Sequence, residues 1–355
     1  MNIMDLVTPA NITAYWDARR KNGNDQSQYM GEMLFPAEKV FGLELNKVGG
    51  RAGLPVELVP SAFDTEATYR DRLSIEVQKT QMPFFRERMK IDETTRQQIM
   101  TISQDSILRA FIPRIFDDTN NLIRGARASR ERMCMELIST GKIKVNGNGV
   151  NMEYDYHLSK DQKVKPAVKW TDSANAKPIQ DMIDWIDDFR TKYGVVMEYA
   201  VMNTKTFNLI KASDSMKAIL YPNVQASNMQ IVTPQQVKET IERFVGVRIL
   251  LNDNVYALKV GGKGVKYFPD GVVTFLPRGG VLGKMTFGTT PEEADLATNP
   301  KFASNTAIID TGVAVYTKTI DHPVNVEVIV SQICLPSFSS DIEGGAGSII
   351  IANVD

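Results

Sequence analysis

The alternation of apolar and polar positions divides the chain into stretches of different character. The opening fifty residues are sparse in apolar side chains, with Ile12, Tyr15 and Trp16 scattered ahead of a polar run from Lys21 to Gln28. Tyr29 to Pro36 (YMGEMLFP) adds a short apolar patch, and Gly49, Gly50 and Gly53 then leave the backbone free to bend. Too little apolar surface gathers here for a separate core. Residues 1–53 are therefore expected to form an arm that docks on the rest of the chain or on another copy of it; an N-terminal strand of the same domain is the alternative. Leu73, Ile75 and Val77 alternate with Ser74, Glu76 and Gln78, the period-two signature of a half-buried strand. With Val56 to Val59 and the polar connection SAFDTEATYRD, they predict an extended two-stranded ribbon within residues 54–90. Such a ribbon is marginal alone in water and persists where it lies on a neighbour. An ordinary hairpin inside a sheet fits the same pattern.

Helical periodicity takes over from Asp92, with Pro113 expected to interrupt it. Asp117 can cap a longer helix ending near Thr140-Gly141. Leu122, Ala126, Ser129, Met133 and Leu137 line one face of that helix. Arg124, Arg127, Arg130 and Arg132 occupy the other sides, expected to be solvated or held by ion pairs at an interface. Asn146-Gly147-Asn148-Gly149, between two β-rich runs of 142–158, predicts a tight hairpin turn with positive φ.

From about 171 to 304 helices and strands alternate. Ile179, Met182, Ile183, Ile186 and Phe189 form a helical stripe between Pro178 and Gly194, and Val195 to Met202 reads as a strand. Thr233 to Gln236 is a capping box with proline at the first helical position. Val247–Leu251 and Val255–Leu258, joined by Asn252-Asp253-Asn254, read as a hairpin, with VVTFLP and VLGKMTFG as further strands. The runs 307–318 and 324–336 then read as two strands about Asp321-His322-Pro323, with Val324, Val326, Val328 and Val330 on one apolar face. The early helix and hairpin, joined by this C-terminal pair, make a discontinuous domain into which the α/β unit is inserted.

Composition narrows the function. Across 355 residues, 43% hydrophobic and 23% charged content supports a sizeable core and two or three structural units. Lys+Arg at 41 against Asp+Glu at 42 leaves a net charge of -1, so bulk positive charge cannot drive nucleic-acid binding. Cys134 and Cys334 offer neither a disulfide framework nor a thiolate cluster, and are most simply small core residues; His157 and His322 leave no multi-histidine metal site. No basic start precedes an apolar run, and no apolar stretch reaches about 18 residues, so a soluble, unanchored chain in a reducing cytoplasm is expected. Gly279 to Met285 (GGVLGKM) falls short of phosphate-loop spacing and has Met285 where a hydroxyl would hold Mg²⁺, so it reads as a strand with glycine turns. The adjacent acids Asp187-Asp188 and Glu292-Glu293 point apart on polar faces. No nucleophile with a base and an orienting group emerges, and no catalytic, cofactor or metal residue is expected. A cytoplasmic α/β enzyme with its site in 171–304 stands as one rival.

The order of elements, more than any motif, carries a family resemblance. YMGEMLFPAEKVFGLELNKVGGRAGLPVELVPSAFDTEATYRDR, RGARASRERMCMELISTGKI, VNGNGVNMEYDY and WTDSANAKPIQDMIDWIDDF follow one another in an arrangement that resembles the lambda-like major capsid protein E family of tailed phages. The resemblance implies an α+β, HK97-type capsid fold. Its parts would be an extended N-terminal arm (1–53), a long β-hairpin or E-loop (54–90), a spine helix (117–140), a peripheral domain (91–170 and 305–355) and an inserted α/β axial domain (171–304). The implied function is a major capsid protein that self-assembles, as hexamers and pentamers, into the icosahedral head shell of a tailed bacteriophage. The implied partners are scaffolding and portal proteins, a decoration protein, and packaged double-stranded DNA held without sequence-specific binding, with no membrane. The implied location is the virion, after assembly in the host cytoplasm. Intersubunit contacts are expected at Tyr15 and Trp16 in the arm and at Arg70, Arg72, Glu76 and Lys79 in the ribbon, where Lys79 is also a conceivable crosslink donor. An encapsulin-like nanocompartment shell protein shares the implied fold and is the other rival.

Overall fold

The C-terminal apolar run becomes the central strand of the molecule in the computed structural model, which describes residues 7–21, 29–49, 76–91, 93, 94, 97, 105–222, 232–298, 305–320, 322, 325–339 and 348–355. The chain opens with helices α1 (Pro9–Lys21) and α2 (Met30–Leu34), then strands β1 (Ala37–Lys39), β2 (Glu44–Gly49), β3 (Glu76–Gln81) and β4 (Phe84–Ile91). The 36-residue helix α3 (Asp105–Thr140) leads into the hairpin β5 (Lys142–Gly147) and β6 (Val150–Asp155). There follow β7 (Lys163–Val164), α4 (Pro178–Tyr193), β8 (Met197–Met202), α5 (Thr204–Ala212), α6 (Asp214–Leu220), α7 (Pro234–Val245) and β9 (Arg248–Leu251). The remainder comprises β10 (Val255–Ala257), β11 (Gly264–Lys266), β12 (Val272–Pro277), β13 (Gly283–Phe287), α8 (Pro291–Thr298), β14 (Thr306–Ile309), β15 (Val313–Ile320), β16 (Asn325–Phe338) and β17 (Ile350–Asn353).

Two sheets result. In the six-stranded one, the first half of β16 lies between β15 and β4, antiparallel to both, so that Val328 faces Thr317 on one side and Met89 on the other. Its second half pairs with β13, which takes β1 in parallel on its far edge. The five-stranded sheet runs β7-β17-β12-β8-β9. Helix α3 is wedged between the two: Gln332 of β16 donates to the Ala126 carbonyl at 2.9 Å, and Thr274 of β12 donates to the Ile138 carbonyl at 2.8 Å. This explains why α3 is covered on more sides than one stripe predicts. Met133 and Leu137 are buried as expected, and so are Ile123, Cys134 and Ile138.

Local chemistry sets the element ends. Asn148 and Gly149 form the two-residue turn between β5 and β6 with φ of 47° and 81°, the left-handed values that the Asn-Gly pair tolerates. Thr233 and Gln236 cap α7 reciprocally, and Gly246 ends it in the left-handed region.

The structure corrects several sequence expectations. Helix α3 runs through Pro113 rather than stopping there; a proline removes one rung of backbone hydrogen bonding, and the packed turns from Phe116 onward hold the rest. The expected hairpin of 247–258 does not form. Strand β9 pairs in parallel with β8, β10 pairs with β11, and the connecting turn is occupied by a bond from the Thr204 amide to Asp253 at 2.8 Å. The run 307–318 is two strands, bent at Asp310 with φ of 51°. Asn325 and Glu327, on the expected polar face of β16, are buried; Glu327 lies between β15 and β4 and 3.5 Å from Arg88. The strands also cross the anticipated boundaries: β13 sits in the sheet of β16, and β17 completes the sheet of β12. Ribbon strand β3 pairs with β2, Val77 facing Val48. The expected partner run 56–59 and residues 73–75 lie outside the described residues, as does most of the helix expected from Asp92; Glu93, Thr94 and Gln97 are helical.

Val328 is 1% exposed, with strands on both sides. Val328→Asp should cost upwards of roughly 3 kcal/mol by burying an unpaired carboxylate. Thermal melting of the purified chain checks this, and a variant melting like wild type would place that side chain elsewhere.

Candidate functional site

The arm is where the sequence places its first intersubunit candidates, and the structure seats it on its own chain. Helix α1 buries Ile12 and Trp16 among Phe116, Ile123, Val313 and Val315. Trp16 is therefore a correction: expected to touch a neighbouring subunit, its ring is 2% exposed and belongs to the chain's own core. Tyr15 is half-buried, stacks on Phe116 at 5.1 Å between centroids and donates its hydroxyl to Asp117 at 3.1 Å. Arg19 pairs with the same carboxylate.

Beyond α1, charged groups converge. Arg127 of α3 grips Glu32 of α2 through two bonds of 3.0 Å each, a bidentate clasp. Arg130 lies 3.5 Å from Asp310, at the β14–β15 turn, and 3.9 Å from Glu32. Arg20 reaches Asp310 at 2.9 Å. The Gly31 amide donates to Glu131 at 2.7 Å. That approach requires glycine, because a Cβ on residue 31 would stand 2.5 Å from Glu131 Oε2 and 2.8 Å from Cys134 Cβ. Arg20, Glu32, Arg130, Glu131 and Asp310 surround a cavity of about 260 Å³ that Phe35 and Phe287 also line. Glu131 is 1% exposed, and burial pushes its carboxyl up to about 7, aided by the nearby Glu32 charge and opposed by the Gly31 bond.

The ribbon candidates are separate from this cluster. Lys79, on β3, is 72% exposed and 3.9 Å from Glu44 across the β2–β3 pair, a contact too solvated to contribute much. Glu76 begins β3, its backbone opposite Gly49. Arg70 and Arg72 lie outside the described residues. At the root of the ribbon Phe41 is 96% exposed, with Leu43 and Phe84 also open to solvent. Lys79 and Glu76 thus share one strand, while Tyr15 and Trp16 sit on α1.

Among the described residues no three His, Cys, Asp or Glu side chains are placed to hold a metal ion, and no helix is long and apolar enough to cross a membrane. Cys134 and Cys334 are both buried and unpaired, and burial raises both thiols. His157 and His322 are exposed.

A family model for the phage major capsid protein E matches residues 8–336. The chain belongs to this family. It is accordingly a shell-forming capsid protein with a mixed α+β fold, and its place is the virion. The fold is similar to that of a prophage protein of Escherichia coli CFT073 assigned as its capsid protein, with a TM-score of 0.59 at 13% identity over 97% of this chain and 99% of that one. A phage-related protein of Bordetella bronchiseptica RB50 gives a TM-score of 0.53 at 13% identity, over 98% and 97% of the two chains. The capsid of the Myoviridae phage XM1 gives 0.49 at 13% identity, over 92% and 90%. No curated protein sequence matches the chain.

In this capsid protein the ionic cluster joining arm, helix and turn is what sequence reading missed. The arginines of 124–132 were legible as cations, but nothing in the sequence marks Glu32 and Asp310 as the groups that meet them. Spacing on α3 could have flagged one feature: Arg127, Arg130, Glu131 and Cys134 fall at i, i+3, i+4 and i+7, on a flank as buried as the apolar stripe.

Glu131 carries a pH signature. With its carboxyl near 7 in the folded chain against an ordinary 4.5, the native state holds a proton that the unfolded chain releases between those values. The stabilisation is complete below the unfolded value and is lost as pH rises through the folded one, on the order of 3 kcal/mol in all. Glu131→Gln, neutral throughout, should melt above wild type at about pH 8 and show a flatter profile down to about pH 5. A variant that keeps the wild-type profile would locate the effect in another group.

Proposed function

We propose that this chain is the major subunit of an icosahedral phage head, assembling through hexamers and pentamers around double-stranded DNA. The family match over residues 8–336 carries the reading. In it the chain acts as structure rather than catalyst, without cofactor or metal. The ribbon, with Arg70, Arg72, Glu76 and Lys79, serves contacts between subunits, while Tyr15 helps seat α1 on its own chain. Residues 171–304 gather about the capsomer axis, and 91–170 with 305–355 form the periphery. Scaffolding, portal and decoration proteins would dock on the shell.

Two physical features support this. The ribbon root exposes Phe41, Leu43 and Phe84 together, a patch that a solitary protein would leave in contact with water. The near balance of 41 cations and 42 anions lets copies approach without long-range repulsion and lets DNA be packed without being gripped. Weak contacts repeated around a closed lattice then add up to a durable shell.

Electron microscopy of the purified full chain should show shells, tubes or capsomers; a monodisperse monomer at high concentration would refute the reading. Replacing residues 46–79 by a Gly-Ser turn should abolish closed shells while leaving the melting temperature within a few degrees. Shells in wild-type yield from that variant would remove the ribbon from the assembly contacts.

A further inference from the structure

The hairpin β10–β11 stands out among the elements the proposed roles leave unassigned. Val255, Leu258 and Val260 are exposed, Leu258 to 76% and Val260 completely. Between and beyond them Lys259 and Lys263 are exposed and make no ion pair among the described residues, whereas Lys266 is held by Asp270 at 2.6 Å. A two-stranded hairpin is marginally stable alone in water. This one is anchored inward through Tyr256, whose ring lies 4.8 Å from that of Tyr267, and turns its aliphatic tip outward. An apolar tip flanked by free ammonium groups is suited to a surface that is acidic with an apolar margin.

The outer face of helix α4 offers the acidic half of such a surface. Its inner side buries Met182, Ile186 and Phe189, and its outer side exposes Asp184, Asp187 and Asp188. Asp184 accepts one bond from Gln180 at 2.7 Å, while Asp187 and Asp188 make no ion pair or hydrogen bond among the described residues.

The two surfaces are different patches on the unit built around the five-stranded sheet. Strand β9, which leads into the hairpin, is one edge of that sheet, and β7 is the other. Helix α4 lies toward the β7 side: Trp185 packs against Phe275 of β12, and Tyr193 donates to Asp161 at 2.8 Å, just before β7. A contact between two different patches is heterologous, so each copy offers one half and receives the other, and repetition generates a ring or an array.

We propose that the β10–β11 hairpin of one subunit docks on the outer face of α4 in a second copy of this chain, with Lys259 and Lys263 facing Asp184, Asp187 and Asp188. This rests on the shell-subunit reading and assigns it a specific lateral contact. The aliphatic tip supplies burial, and the charges fix register and speed the encounter.

Charge exchange in the full chain tests it. Lys259→Glu with Lys263→Glu, or Asp187→Lys with Asp188→Lys, should each weaken self-association about tenfold in sedimentation. The four substitutions together should restore it to within about twofold, since the attraction is rebuilt with reversed sign. Lys165→Glu with Lys169→Glu makes the same change of net charge at two other exposed lysines and should leave association near wild type. Melting curves confirm that each variant is folded, as the altered side chains are all on the surface. Undiminished association of either reversed pair, failure of the fourfold exchange to restore it, or an equal loss in the control pair overturns the contact while leaving the shell reading intact. A wild-type chain that remains monomeric overturns both.

Discussion

Two buried guanidinium groups dictate how the amino-terminal part of the molecule is arranged. Arg127 and Arg130 lie on a helix enclosed between two sheets, where an uncompensated charge would cost several kcal/mol. Their compensation comes from far away in sequence: Glu32 from the arm, and Asp310 from the turn between β14 and β15. The arm is therefore positioned by electrostatic necessity as well as by the burial of Ile12 and Trp16. Gly31 completes the arrangement, since its missing side chain lets the backbone of α2 approach Glu131.

The second organising feature is the sharing of strands. β16 serves as a common rail for β15, β4 and β13, while β13 and β17 each join a sheet different from that of their sequence neighbourhood. The α/β unit and the sheet of β16 are consequently fastened by covalent crossings in addition to the packing of α3 between them. A shell subunit benefits from such fastening, because stress from neighbours on one part is transmitted to the other through continuous backbone rather than through a surface contact.

Much of this was readable in advance where the signal is local. The Asn148-Gly149 turn, the capping box at Thr233 and the stripe from Ile179 to Phe189 each rest on side-chain chemistry within a few residues, and the structure reproduces them. Collinear order over most of the chain carried the capsid family itself. What stayed hidden is non-local. The pairing of β9 with β8 displaced a plausible hairpin because burial beneath α7 outweighed proximity in sequence. Trp16 looked like an exposed anchor because its sparse surroundings gave no hint that α3 and β15 would cover it. The carboxylates that neutralise Arg127 and Arg130 could not be chosen from 42 acids without the fold.

The placement of β17 bears on when the subunit becomes competent. Phe275 and Thr274 of β12 have their outer neighbours, Ile350 and Ile351, about seventy-five residues downstream. During synthesis the sheet of the α/β unit thus keeps an unfilled flank until the chain beyond residue 350 has left the ribosome. Until then Val272 to Phe275 lack the partners that close that side of their sheet, so the fold of the unit waits on its most distant strand.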